Sequence, residues 1–161
     1  LKSNDWIISN ADENLIFDGD GDIFIWIGEG DCSQKEGMPP MFIMKAGSTI
    51  KNLFMIYAPD GIHIRGGNIL IDRVINLDVC EDALSTSSKT NYTNFTIMDS
   101  VFLHCEDKGL QFNSGDNINI KNSRFINCAQ PIRIPKITKN FVSENNKMTG
   151  VASYYYLRSK D

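Results

Sequence analysis

The chain has 161 residues, 42% hydrophobic and 22% charged, with a net charge of −4. These values suit one globular domain, residues 1–161, with a sizeable core. No apolar run reaches the roughly 18 residues of a membrane span, and an acidic balance without a basic stripe argues against nucleic acid as a partner.

Leu1 in place of an initiator Met leads us to expect a fragment or a processed chain, with any signal peptide out of sight. From Ile16 to Trp26 the sequence reads as two short strands around a turn at Gly19 and Gly21. Asp18, Asp20, Asp22 and Glu29 fall at the first, third, fifth and twelfth places of a calcium loop. The sixth place of such a loop needs Gly, yet here it is Ile23, and the flanks alternate as strands do, so the strand reading is preferred. Residues 28–40 are rich in turn formers and lack an apolar period, which marks one long loop. A strand at Met41–Met44, a turn and another strand follow, and nowhere does a helical period persist.

Beyond this point the chain repeats. The apolar anchors Ile62, Leu84, Leu110 and Ile132 are separated by 22, 26 and 22 residues, each inside one short phrase: Asp60-Gly-Ile-His, Asp82-Ala-Leu-Ser, Lys108-Gly-Leu-Gln and Gln130-Pro-Ile-Arg. A period in the low twenties is the mark of a solenoid. If the repeats stack as coils of a parallel β-helix, equivalent residues lie about 4.8 Å apart. Asp60, Asp82, Lys108 and Gln130 then form one ladder, and His63, Ser85, Gln111 and Arg133 a second, three residues further along each coil. Asn or Asp recurs at strand ends, at Asn52, Asp72, Asp99, Asn122 and Asn145, where stacked amides would satisfy a bend. Asn117 to Lys121 alternates as a half-buried strand, and Tyr154 to Leu157 is expected to cap the last coil.

Cys80, Cys105 and Cys128 precede their anchors by four, five and four residues and should stack as a column. Two readings stay open: a buried column of small apolar residues, or one bridge, Cys80 to Cys105 or Cys105 to Cys128. No spacing suggests a zinc site. Asn91-Tyr-Thr and Asn94-Phe-Thr are glycosylation sequons, relevant only to a secreted eukaryotic protein.

Several segments, in order, resemble the small pectate lyases of polysaccharide lyase family three. They are Gly30 to Glu36, Pro40-Met-Phe, Ala46 to Asn52, Pro59-Asp-Gly-Ile-His, Asp78-Val-Cys-Glu-Asp-Ala, and Asp107-Lys108 with Gln111 and Asn113. The resemblance covers about residues 16–133. It implies an all-β, right-handed, single-stranded parallel β-helix, secreted and monomeric, that cleaves polygalacturonate with calcium. By the same resemblance Asp60, Glu81 and Asp82 are the calcium ligands, Lys108 the base and Arg133 the arginine beside the cleaved bond. Glu36, His63, Gln111 and Gln130 are expected to contact substrate. Carboxylate oxygens are the donors calcium prefers, and a lysine can shed its proton where an arginine cannot. One position departs from the family pattern: Gln130 stands where a second lysine is usual. That departure supports an alternative, a carbohydrate-binding β-helix that has lost turnover. An ice-binding solenoid would need a flat threonine face, which Thr49, Thr86, Thr93 and Thr96 do not make.

Overall fold

The short strands of this chain pair from coil to coil rather than as hairpins. Their backbone groups are satisfied by the equivalent strand one coil away. The computed structural model describes residues 13–28, 32–33, 37–87, 90–135, 138–152 and 156–158. Among them there is no helix, and every strand pairing is parallel. The first strands are β1 (Ile16–Asp18) and β2 (Ile23–Ile25), followed by β3 (Pro40–Met44) and the long β4 (Thr49–Ile56). Next come β5 (Asp60–Ile64) and β6 (Ile69–Val79), then β7 (Asp82–Thr86), β8 (Thr93–Met98) and β9 (Val101–Cys105). The last coils hold β10 (Lys108–Gln111), β11 (Asp116–Lys121), β12 (Arg124–Ile126), β13 (Gln130–Pro135), β14 (Phe141–Glu144), β15 (Lys147–Thr149) and β16 (Tyr156–Arg158). The result is a parallel β-helix of about five turns.

One sheet runs β16-β13-β10-β7-β5-β3, and the rest of each coil forms a second sheet that bends midway into two faces. The register is the one the repeats imply. Phe42, Ile62, Leu84, Leu110 and Ile132 are stacked partners, all fully buried. A parallel inner column, Met55, Asn76, Phe102 and Phe125, fills the opposite wall, with the last two rings stacked at 5.1 Å. Asn76 is the polar member of that column, and its amide donates to the Ala83 carbonyl at 3.2 Å.

The bends are built from left-handed residues. Asn52, Asp99, Asn122 and Asn145 all have φ between 51° and 55° and occupy the corner within the bent sheet. Asn122 donates to Asp99 at 3.1 Å and accepts from Asn145 at 3.4 Å. In the coil of β6 the left-handed residue is Arg73, not the expected Asp72, and its Nε donates to Asn52 at 2.6 Å. A guanidinium reaches across where an amide otherwise would. A second asparagine column, Asn68, Asn94, Asn117 and Asn140, turns each coil between the two sheets, with amide-to-amide bonds of 2.7 to 2.9 Å. It escaped the sequence reading because its members follow loops of unequal length.

The expected strand, turn and strand from Ile16 to Trp26 are present, with Gly19 to Asp22 joining β1 to β2, and the Asp18 carboxyl at the end of β1 is held down at about 2 by the Asn52 amide and then by Lys51. Other expectations need revision. Glu29 lies outside the described residues. Pro40 belongs to β3, so the loop before it is one residue shorter than expected. Tyr156 and Leu157 belong to β16, which pairs with β13 at the last coil, while Tyr154 and Tyr155 lie outside the described residues. The cysteine column is imperfect: Cys105 pairs in register with Val79, because it precedes its anchor by five residues and Cys80 by four. Two disulfides result, Cys105–Cys128 and Cys32–Cys80, and no described cysteine is free. The first was one of the open alternatives. The second was not foreseen, since Cys32 sits in a loop with no repeat to place it.

The corner makes a sharp prediction. Asn122→Gly keeps the left-handed φ and loses the two amide bonds, so it should cost about 1–2 kcal/mol. Asn122→Ala should cost about 1 kcal/mol more, the penalty of a Cβ in that conformation. Chemical denaturation of both variants measures the difference, and equal losses would show that the ladder bonds alone matter.

Candidate active site

The sheet that carries the anchors also carries the chemistry. Asp82, Lys108 and Gln130 are successive partners in register, and Pro40 pairs with Asp60 one coil before Asp82. Three residues on, Ile43, His63, Ser85, Gln111, Arg133 and Tyr156 form the second ladder. Gly61 is required here: a Cβ at that position would run into the Ala83 backbone of the next coil. That close approach sets the residue after Asp60 against the residue after Asp82.

The two ladders open into a cleft of about 400 Å³. Asp60, Glu81, Asp82, Lys108, Gln111 and Arg133 line it, as does His63. Asp60, Asp82 and Lys108 are almost fully buried, so their charges must be met by neighbours. Asp60 accepts from its own neighbour Gly61 at 3.0 Å and shares a 2.5 Å bond with His63 Nε2. Lys108 Nζ reaches Asp82 Oδ1 at 3.3 Å and also pairs with Asp107. Gln111 donates through Nε2 to Asp82 Oδ2, and its Oε1 accepts from Arg133 Nη1 at 2.8 Å. The neutral amide thus links an acid to a guanidinium across three coils.

Burial raises the Asp82 carboxyl to about 7, with the like charges of Asp60 and Asp107 adding to the shift and Lys108 opposing it. Desolvation outweighs the ion pair, because Lys108 divides its attention between two acids. Among the described residues no three His, Cys, Asp or Glu side chains converge so as to hold a metal ion. The donor chemistry still suits a hard divalent cation: Asp60, Glu81, Asp82 and Asp107 present carboxylate oxygen to one cleft. A cation there would offset the burial that keeps Asp82 from ionising, and with it the smaller repulsion from Asp60 and Asp107.

The structure therefore brings together Asp60, Glu81, Asp82, Lys108, His63, Gln111 and Arg133. Gln130 stands beside Lys108 in register but does not line the cleft, and its Oε1 is buried without a hydrogen-bond partner. Glu36 lies outside the described residues. Gly37, from the same loop, does line the cleft, and the Cys32–Cys80 bond ties that loop to the residue before Glu81. Asp107 and Asn113 also line it, although the sequence reading gave them no role. Asp107 could have been found from its place next to Lys108. So could Asn113, which stands in the same resembling segment; its Nδ2 donates to the Thr86 carbonyl of the preceding coil.

A family profile described as Pectate lyase matches residues 8–151. "Probable pectate lyase D" of Emericella nidulans is 37% identical over 112 residues, 66% of this chain and 40% of its own length. "Pectate lyase E" of the same organism is 31% identical over 69% of this chain and 43% of its own. "Probable pectate lyase E" of Neosartorya fischeri is 36% identical over 56% of this chain and 36% of its own. The chain thus spans less than half the length of these relatives.

In the unfolded chain Asp82 loses its proton near its ordinary 3.8, while in the fold it keeps it until about 7. Between those values the folded state binds more protons, so stability should fall as pH rises from about 4 to about 7 and level off above. Denaturation across that range, without divalent cation, checks it. Asp82→Asn should flatten the slope.

Proposed function

The chain belongs to the pectate lyase family, and on that premise we propose that it is a secreted, calcium-dependent lyase that cleaves polygalacturonate or a related uronate polysaccharide by β-elimination. The observation that carries this reading is one cleft, lined by buried Asp60, Asp82 and Lys108 from one ladder and by Gln111 and Arg133 from the next. β-Elimination takes a proton from C5 of a uronate and breaks the bond from C4 to the leaving oxygen, leaving a double bond between C4 and C5. It needs a base, a cationic grip on the carboxylate and stabilisation of the charge that develops.

Lys108 is the base: it is the one primary amine lining the cleft among the described residues. Arg133 grips the substrate carboxylate, for which a planar guanidinium is better suited than a lysine. Gln111 holds Arg133 in place through its carbonyl oxygen. Asp60, Glu81 and Asp82 would hold calcium, which when bound supplies Lewis-acid stabilisation of negative charge on the substrate. Two disulfides fit an oxidising, extracellular setting. The partner is an acidic polysaccharide, drawn into a cleft whose cations are local although the net charge is −4.

A second reading has an observation in its favour. Asp82 and Asp107 both hold the Lys108 ammonium, and Gln130 adds no cation beside it. A carbohydrate-binding β-helix without turnover would tolerate that arrangement.

Incubation with polygalacturonate, with and without calcium, separates the two by the absorbance of the unsaturated product. Lyase activity predicts product only with calcium, and binding without product supports the second reading. Lys108→Ala should lower turnover by about two to four orders of magnitude. Lys108→Arg should fail nearly as badly, since its guanidinium keeps its proton. Calcium should also raise Tm, and more at about pH 8 than at about pH 5, because carboxylate ligands must be ionised to bind it. Gln130→Lys should increase turnover on unesterified substrate if the lyase reading holds.

A further inference from the structure

A cleft of about 400 Å³ holds only a short stretch of a polysaccharide. The outer face of the sheet that carries it continues further. Ile62 and Ile64 point into the core and His63 points outward, so Arg65, two residues beyond His63, lies on the same outer face and is exposed. One coil earlier, half-buried Lys45 follows Met44 as Arg65 follows Ile64. Met44 and Ile64 are register partners, and the Arg65 N–H donates to the Met44 carbonyl at 2.8 Å. A Cβ on Gly66 would run into the Ala46 backbone, so the two coils are at their closest just past this pair. Lys45 and Arg65 therefore stand side by side, their backbones about 4.8 Å apart. Carried on, the same register sets Ser87 and Asn113 in this place in the next two coils. His63 and Asn113 both line the cleft. The pair thus adjoins it, about 7 Å from His63 along the strand and about 10 Å from Asn113 across two coils.

The charges of this pair are not met within the fold. Among the described residues no carboxylate pairs with Lys45 or Arg65, whereas Lys51, Arg73, Lys108 and Lys121 each face an acid. Like charges opposite each other on neighbouring strands repel. An anion lying between the two would relieve that repulsion. Inside the cleft the cations are already engaged, Lys108 by Asp82 and Asp107 and Arg133 by Gln111.

We propose that Lys45 and Arg65 form a carboxylate subsite outside the cleft, gripping a second uronate of the polysaccharide whose reacting uronate is held at Arg133, three coils away. The proposal deepens the lyase reading and rests on its assignment of an acidic polysaccharide to the cleft. A polymer with a carboxylate on every sugar reaches both places at once, and the second contact, being intramolecular, adds affinity only when the chain is long enough to span them. A guanidinium suits a carboxylate by its paired donors, and the neighbouring ammonium adds a point charge. Two cations on a chain of net charge −4 are too few for a nucleic-acid backbone. The subsite selects long, unesterified stretches.

Calorimetry with calcium present, in the Lys108→Ala background so that nothing is cleaved, compares long polygalacturonate with a uronate disaccharide small enough for the cleft. Arg65→Gln should weaken binding of the long polymer about three- to tenfold at low ionic strength, and Lys45→Gln about two- to fivefold, both effects shrinking as salt is added. The disaccharide should bind as before. Arg65→Lys should recover part of the loss, and the Tm of the unliganded glutamine variants should not fall, because a like-charge contact has been removed. Fully methyl-esterified polymer should not distinguish the variants from the parent. Unchanged affinity for the long acidic polymer when both residues are glutamine overturns the proposal, as does an equal loss on the disaccharide or on the esterified polymer. Polymer binding that depends on both cations, with no unsaturated product from the wild-type chain, supports the subsite and removes the lyase reading.

Discussion

Parallel hydrogen bonding between coils, kept in register by a left-handed residue at each bend, is the constraint on which the other features rest. A β-helix has no hairpins to fix its strand pairing, and a slip of one residue would exchange its inner and outer side chains. The fold resists that slip at several independent places. Phe42 through Ile132 interlock as a buried column, and the two asparagine columns fasten the corners by amide bonds. Cys105–Cys128 joins adjacent coils covalently across 23 residues, which by loop-closure entropy is worth about 3 kcal/mol. Glycine is required where coils come closest, and Gly61 against Ala83 is such a point. Because stacking is a nearest-neighbour interaction, each coil need only be right with respect to the next.

The cleft is a consequence of this register and runs against stability. Asp82 and Lys108 are buried because rungs one coil apart leave little room for water, and burial holds the Asp82 proton on until about 7. Replacing such a pair with apolar groups is often neutral or stabilising in other proteins. A buried, imperfectly satisfied charge cluster at the surface of a regular scaffold is the pattern expected of a site rather than of a core. Gln111 shows how the strain is contained: its amide meets Asp82 with a donor and Arg133 with an acceptor, so acid and guanidinium are coupled without collapsing onto each other.

Most of the scaffold was legible in the sequence because its signal is repetition. Four anchors and the phrases around them fix which residues share a rung, and both ladders follow. What repetition does not govern was missed. Cys32 lies in a loop outside the repeat, so its bond to Cys80 had no spacing to betray it. The column from Asn68 to Asn140 was hidden by variable loops, and Arg73 replaced an amide at its corner by reach rather than by type. At the cleft, the residue types were readable, but their pairing was not. Only the geometry shows that Lys108 is shared between Asp82 and Asp107, or that Gln130, next to Lys108 in register, does not line the cleft.

The central claim is that inter-coil register places Asp82 and Lys108, 26 residues apart, in direct energetic contact. A double-mutant cycle on stability tests it most directly, with Asp82→Asn, Lys108→Met and the two combined, each measured by denaturant unfolding above about pH 8, where Asp82 is ionised. The account predicts a coupling on the order of 1–3 kcal/mol, the double variant losing less than the sum of the single losses. Additive losses would contradict it.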